Sequence, residues 1–156
     1  EQPFEAATRL LLAPGTAQIY YGDELARPLR VAGAEGDANL RSFMNWGDLE
    51  RRSGLLQHWR KLGRFRRDHP AIGAGIHRTL QVKPFIFART LETGGKLDRV
   101  LVAMDQETGA KTIPVFGVFR DGTRLVDAYS GVGSTVKDGK VSLSTRSGLV
   151  LLGERR

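Results

Sequence analysis

Pro14-Gly15-Thr16-Ala17-Gln18-Ile19-Tyr20-Tyr21-Gly22-Asp23-Glu24 is the stretch on which the fold turns. Ala17 to Tyr21 reads as a short buried strand, preceded by a Pro-Gly break and ended by Gly22. Upstream, Phe4 to Leu12 is apolar and helix-prone, and Ala6, Ala7, Leu10 and Leu11 are spaced to share one helical face. Downstream, Asp23 to Gly47 holds Pro28, Gly33 and Gly36, mixed charge and no clear period. Such a long loop in a compact protein is functional or disordered. Ser53 then offers an N-cap for a second helix. Leu55, Leu56, Trp59 and Leu62 form its apolar stripe with Phe65 at the edge, Arg60, Arg64 and Arg67 lie away from it, and Pro70 closes it. The order is helix, strand, long loop, helix. One strand cannot make a sheet, and an apolar strand between helices needs neighbours on both sides. Partners for Ile19 and Tyr20 are therefore expected outside this chain, leaving Leu10, Leu11, Leu12 and Ile19 exposed.

The character changes between His77 and Gln81. Strand-like runs follow at 85–89, 100–104, 112–116, 124–127, 141–144 and 149–152. Gly94-Gly95, Glu107-Thr108-Gly109, Asp121-Gly122 and Asp138-Gly139 lie between them, and Asp-Gly between such runs signals a hairpin. Pro114 marks an edge strand or a bulge. Short strands at this spacing predict an antiparallel sandwich or barrel. Two regions are thus expected, 1–78 and 79–156.

The 156 residues carry 24 basic and 17 acidic side chains, a net charge of +7. A basic balance suits a nucleic-acid surface or a solvated arginine face. Trp59 and Phe65 fall on the leucine stripe of the second helix rather than among its arginines, which argues against exposed base-stacking platforms. Cysteine is absent, which excludes disulfides, thiolate metal sites and cysteine nucleophiles. No apolar run is long enough to span a bilayer. The chain starts at Glu1 with no leader pattern, and the natural start is expected upstream. His58, His69 and His77 make no i, i+4 ligand pair, and neither a Gly-x-Ser-x-Gly elbow nor a phosphate loop is present.

Three stretches carry a family resemblance. Gly15 to Glu24 resembles the Gly-Thr-Pro-x-Ile-Tyr-Tyr-Gly-x-Glu segment on the last barrel strand of the α-amylase family, glycoside hydrolase family 13. Arg41-Ser42-Phe43-Met44-Asn45-Trp46 resembles its Arg-x-Pro-Met-x-Trp loop. Leu56 to Pro70 resembles its final barrel helix, and Ala71 to Gly75 the link to a C-terminal β domain. The three signals stand in family order at family spacing and cover about the first half of the chain. Ala17 and Phe43 replace the usual prolines, which leaves the subfamily and its glucan open. The resemblance implies an α+β fragment: the final strand-loop-helix of a (β/α)8 barrel, followed by an antiparallel Greek-key β-sandwich.

It also implies a parent that cleaves α-glucosidic bonds in starch or malto-oligosaccharides. Retaining glycosidases place two carboxyl groups about 5 Å apart. In the family these come from earlier barrel strands, which would precede Glu1. The chain alone is then expected to hold no catalytic residue and to be inactive without the missing N-terminal barrel. Asp23 and Glu24 are adjacent on extended backbone and point to opposite faces, so they do not flank one glycosidic oxygen. Each either lines the barrel mouth or fixes the following loop. The substrate-binding candidates are Tyr21, Asp23, Glu24, Arg41, Asn45 and Trp46, with Trp46 placed to stack on a sugar ring or to anchor the loop. No cofactor or metal is expected in this chain, and calcium is compatible with the full-length parent. No nucleic-acid or membrane partner is expected, and the resemblance favours an extracellular or periplasmic location. Two other classes compete: a carbohydrate-binding module in the β half, where Phe85, Phe87, Phe116, Phe119 and Tyr129 would have to be exposed, and a basic nucleic-acid binder.

Overall fold

The computed structural model describes residues 2–154. The chain forms two compact units, 1–63 and 64–156.

In the first unit, α1 (Gln2–Leu12) buries Ala7, Leu11 and Leu12. The expectation that Leu11 and Leu12 are exposed is corrected: they are 2% and 3% accessible, whereas Ile19 is 49% exposed as expected. Burying such side chains is worth about 1.5–3 kcal/mol each, which suffices to dock a short helix. The second helix, α2 (Ser53–Asp68), starts in this unit and ends in the other. Leu55, Trp59 and Leu62 are buried along one stripe while Arg60 is exposed, as its period requires. His58 joins them: its Nε2 lies 3.0 Å from the Phe4 carbonyl oxygen and 2.9 Å from Thr8 Oγ1, which ties α1 to α2.

The expected strand Ala17–Tyr21 is not formed. Thr16 to Tyr20 have turn or irregular conformations, and a turn follows at Tyr21 and Gly22. The physical reason is the ladder. Strand N–H and C=O groups need a neighbour, and no other strand exists among the described residues of this unit. The long loop is broken by short 3-10 turns at Asp23–Leu25, Gly36–Arg41 and Trp46–Asp48.

The second unit is mostly antiparallel sheet. The end of α2 leads to the short α3 (Ala71–Ala74) and then to β1 (Ile76–Gln81), β2 (Ile86–Thr93), β3 (Lys96–Ala103), β4 (Gly109–Pro114), β5 (Arg124–Asp127), β6 (Gly133–Thr135), β7 (Lys140–Thr145) and β8 (Val150–Glu154). One six-stranded sheet runs β1-β2-β3-β8-β5-β6, and β4 pairs with β7 in a second sheet. Leu101, Ala103, Leu125, Val150 and Leu152 from the first sheet share a core with Ile113, Val141 and Leu143 from the second. Strand β7 shows the alternation behind this, with every second residue buried. Val100 to Ala103 are all inaccessible, because the sheet is covered on both faces. Ala71 and Ile72 of α3 are also inaccessible and pack beside β2 and β3.

Gly94-Gly95 makes the β2–β3 hairpin. Asp138-Gly139 turns the chain between Lys137 and Lys140 with φ of 51° and 67°, the signature of a type I′ turn. Asp121-Gly122 is not a hairpin: β4 pairs with β7, and β5 with β6 and β8. Instead the Asp121 carboxylate accepts the Asp138 and Gly139 N–H groups, both at 2.9 Å. Pro114 ends β4, which among the described residues pairs with β7 alone, so the edge position is as expected.

Candidate functional site

The sequence-predicted site residues lie in the loop of the first unit, and a residue outside that set organises them. Arg27 is buried. Its Nε donates to the Tyr21 carbonyl at 3.0 Å, Nη1 to the Ser42 carbonyl at 2.9 Å and to Ser42 Oγ, and Nη2 to the Leu40 carbonyl at 3.0 Å. The guanidinium also lies 3.9 Å from the centroid of the Tyr21 ring. One side chain thereby binds residues 21, 40 and 42 across the long loop. Gly22 makes room for it: φ is 88°, and a Cβ there would meet three Arg27 side-chain atoms at 2.7 Å. The ordinary side chains of residues 23–27 carried no sign of this role. The one related sequence signal was Gly22, read there only as the end of a strand.

Around this clamp, Tyr21 Oη donates to the Ser42 carbonyl at 2.9 Å. Asp23 Oδ2 accepts the Tyr20 N–H at 3.0 Å, and Glu24 Oε2 accepts the Gly22 N–H at 3.1 Å. Both carboxylates serve as acceptors for their own turn. Asn45 Nδ2 donates to the Leu25 carbonyl at 3.2 Å and to Asp48 Oδ2 at 2.7 Å, which draws the far end of the loop onto the same turn. Arg51 holds the Asp48 carboxyl below the usual carboxylate range, with Asn45 adding to it. Tyr21, Asp23, Glu24 and Asn45 are thus assembled into one scaffold. Arg41 and Trp46 are exposed, Trp46 by 66%. A shallow groove is lined by Ile19, Tyr20, Tyr21, Glu24, Leu56, Trp59 and Arg60, and neither Arg41 nor Trp46 is part of its lining.

In the second unit a buried polar group fixes the helix end. Asp98 Oδ1 lies 2.8 Å from His69 Nδ1, and Oδ2 accepts the Ala71 N–H at 2.9 Å. Arg89 is buried beneath the Phe87 ring, donates to the Ile72 carbonyl, and has its Nε 3.3 Å from His77 Nδ1. Burial, and then the Arg89 charge, depress the His77 imidazole. No cluster of three or more His, Cys, Asp or Glu side chains that could hold a metal ion occurs among the described residues, and no described helix is long and apolar enough to cross a membrane.

An α+β chain with a loop ahead of a long helix, a short link and a mostly antiparallel β unit is similar to the C-terminal part of α-amylases. The comparisons agree. The chain is 49% identical over 80 residues, 51% of its length, to the periplasmic α-amylase of Escherichia coli (strain K12). It is 29% identical over 153 residues, 90% of its length, to the amylopullulanase of Thermoanaerobacter thermohydrosulfuricus. The crystal structure of Anoxybacillus α-amylase superposes on 99% of the chain with a TM-score of 0.64 at 25% identity. The chain spans only 12% and 10% of the two curated relatives and 33% of that crystal structure. No protein-family model matches the chain. The α-amylase resemblance carried by the three motifs therefore holds, with curated relatives that match 51% and 90% of this chain and a solved structure that matches 99% of it.

Proposed function

We propose that this chain is the C-terminal part of a glycoside hydrolase that cleaves α-glucosidic bonds in starch or malto-oligosaccharides by a retaining mechanism, and that the chain by itself is inactive. The observation that carries the reading is the 49% identity over 80 residues to an α-amylase, together with three motifs in family order. On this reading residues 1–78 are the final strand-loop-helix of a (β/α)8 barrel, and residues 79–156 are a Greek-key sandwich that is structural with respect to catalysis and contributes no catalytic group. Ala17 to Tyr21 becomes a strand when neighbouring staves supply its ladder. The clamp at Arg27 then holds the loop at the barrel mouth, where sites of such barrels are built. Trp46 and Arg41, both exposed, are the residues of the set best placed to meet a sugar, whereas Tyr21, Asp23, Glu24 and Asn45 keep the loop in shape. The parent acts in the periplasm or outside the cell, and any calcium requirement belongs to the parent.

The chain and the parent should be assayed side by side on soluble starch and short maltodextrins. The chain alone should release no sugar above background, and the parent should release products that first appear as the α-anomer. Sugar release by the chain, or a β-anomeric first product from the parent, refutes the reading.

A further inference from the structure

We infer that the surface around Phe116, on the β unit, is a binding platform for an α-glucan chain. The choice of α-glucan rests on the parent function proposed above; the platform rests on geometry alone.

Phe116 is 80% exposed, although large aromatic side chains are usually withdrawn from water. Its position is built. The Phe116 carbonyl accepts a hydrogen bond from Arg78 Nη2 at 2.8 Å. The ring rests on the 138–139 turn: a Cβ on Gly139 would meet Phe116 Cβ at 3.2 Å and Cδ2 at 3.3 Å, so glycine is what lets the ring lie there. That turn is itself held by the Asp121 carboxylate. On the other side Gly117 has φ of 70°, and a Cβ there would stand 3.0 Å from Arg78 Nη1. The Val118 and Phe119 N–H groups both bond to the Val115 carbonyl and close the segment. An exposed ring on a fixed support loses little freedom when a ligand stacks on it.

The ring borders an open cavity of about 570 Å³, lined also by Arg99, Arg120, Asp121 and Asp138. That volume falls in the range of about 300–1,000 Å³ usual for small-ligand sites. Arg99 is held in the lining by its pair with Glu154. The lining mixes guanidinium and carboxylate groups, Arg99 and Arg120 with Asp121 and Asp138, and Arg78 stands beside Gly117. What it offers is an aromatic face beside donors and acceptors of both kinds. That combination suits the apolar C–H face and neighbouring hydroxyls of a neutral sugar. The sequence placed Phe116 at the end of the strand-like run 112–116. Strand β4 ends before it, at Pro114, and frees the ring.

The test is affinity electrophoresis of the full chain in cathodic native gels containing soluble starch, a β-glucan, or neither. Starch should retard the wild-type chain and Phe116→Trp. For Phe116→Ala the apparent Kd should rise about tenfold, the factor set by 1.4 kcal/mol. Phe43→Ala, which removes a ring that is 99% exposed in the first unit, should behave as wild type. Because Phe116 is exposed, an unchanged circular dichroism melt should separate lost binding from lost folding. No retardation by starch, or retardation indifferent to Phe116→Ala, overturns the inference, and the parent's activity on starch would then stand or fall separately. Phe116-dependent retardation by the β-glucan instead overturns the α-glucan assignment of this platform, while the starch assay of the parent decides the parent's substrate.

Discussion

At the residue scale, Arg27 shows how a buried charge can be tolerated without a carboxylate. Burying a charge is costly unless its hydrogen bonds are met. Here carbonyls of Tyr21, Leu40 and Ser42, the Ser42 hydroxyl and the Tyr21 ring meet them. Arg27→Ala should therefore leave those carbonyls without their donor and destabilise the loop by about 1.5–3 kcal/mol, the worth of hydrogen bonds to a charged group. Hydrogen exchange should show lost protection confined to residues 20–45, and unchanged exchange there would contradict the clamp. His58 makes a second prediction. Burial lowers its pKa, with the Phe4 carbonyl acting the other way and Lys61 adding to the depression. A histidine depressed in the folded state contributes stability that is complete above its unfolded value of about 6.5 and declines as pH falls toward the folded value. The melting temperature should thus fall between pH 7 and pH 5, and His58→Gln should flatten the slope. His77 shifts in the same direction, so the flattening should be partial. A slope unchanged in His58→Gln would discard this account.

At the scale of elements, the strands legible from sequence were those with a buried face. Val100 to Ala103, Leu125 to Asp127 and the alternating β7 all announce themselves by apolar content or period. The two strands not anticipated, β1 and β6, are the two outer edges of the six-stranded sheet. Residues 76–79 of β1 are exposed, and β6 is Gly133-Ser134-Thr135. An edge strand with a solvated face leaves no hydrophobic period to read. The contact that fixes the helix end to the sheet was equally silent. Asp98 joins His69 and the Ala71 N–H, and Gly153 is glycine because a Cβ would stand 2.5 Å from the His69 ring. Asp98→Ala should cost about 2–4 kcal/mol, since it leaves a buried N–H and an imidazole unpaired. Urea denaturation should show a lower midpoint with an unchanged m-value, and a midpoint within error of wild type would remove Asp98 from the support of this unit.

For the molecule as a whole, charge and burial give different impressions. The net charge of +7 invites a polyanion. Yet on α2 the aromatic residues Trp59 and Phe65 are 8% and 2% accessible, while Arg60, Arg64 and Arg67 lie exposed without them. Base stacking needs exposed rings. Any retardation of labelled DNA or RNA at 20 mM salt should therefore vanish by about 150 mM, as expected for phosphate contacts alone. Binding that persists there would favour a true nucleic-acid site.

The sequence by itself determined the two long helices, the β character of the second half, an edge or a bulge at Pro114, the hairpin at Asp138-Gly139 and the family resemblance, because each is written in neighbouring residues as period, turn chemistry or motif. It misjudged Ala17 to Tyr21: β-branched and aromatic content favours a strand, but only a neighbouring ladder makes one. Tertiary structure alone decided that Arg27 gathers the loop, that Asp121 caps a turn 17 residues away, and that Phe116 stands in solvent while Phe119 is buried. These depend on groups distant in sequence coming within bonding reach, and no local pattern encodes that meeting.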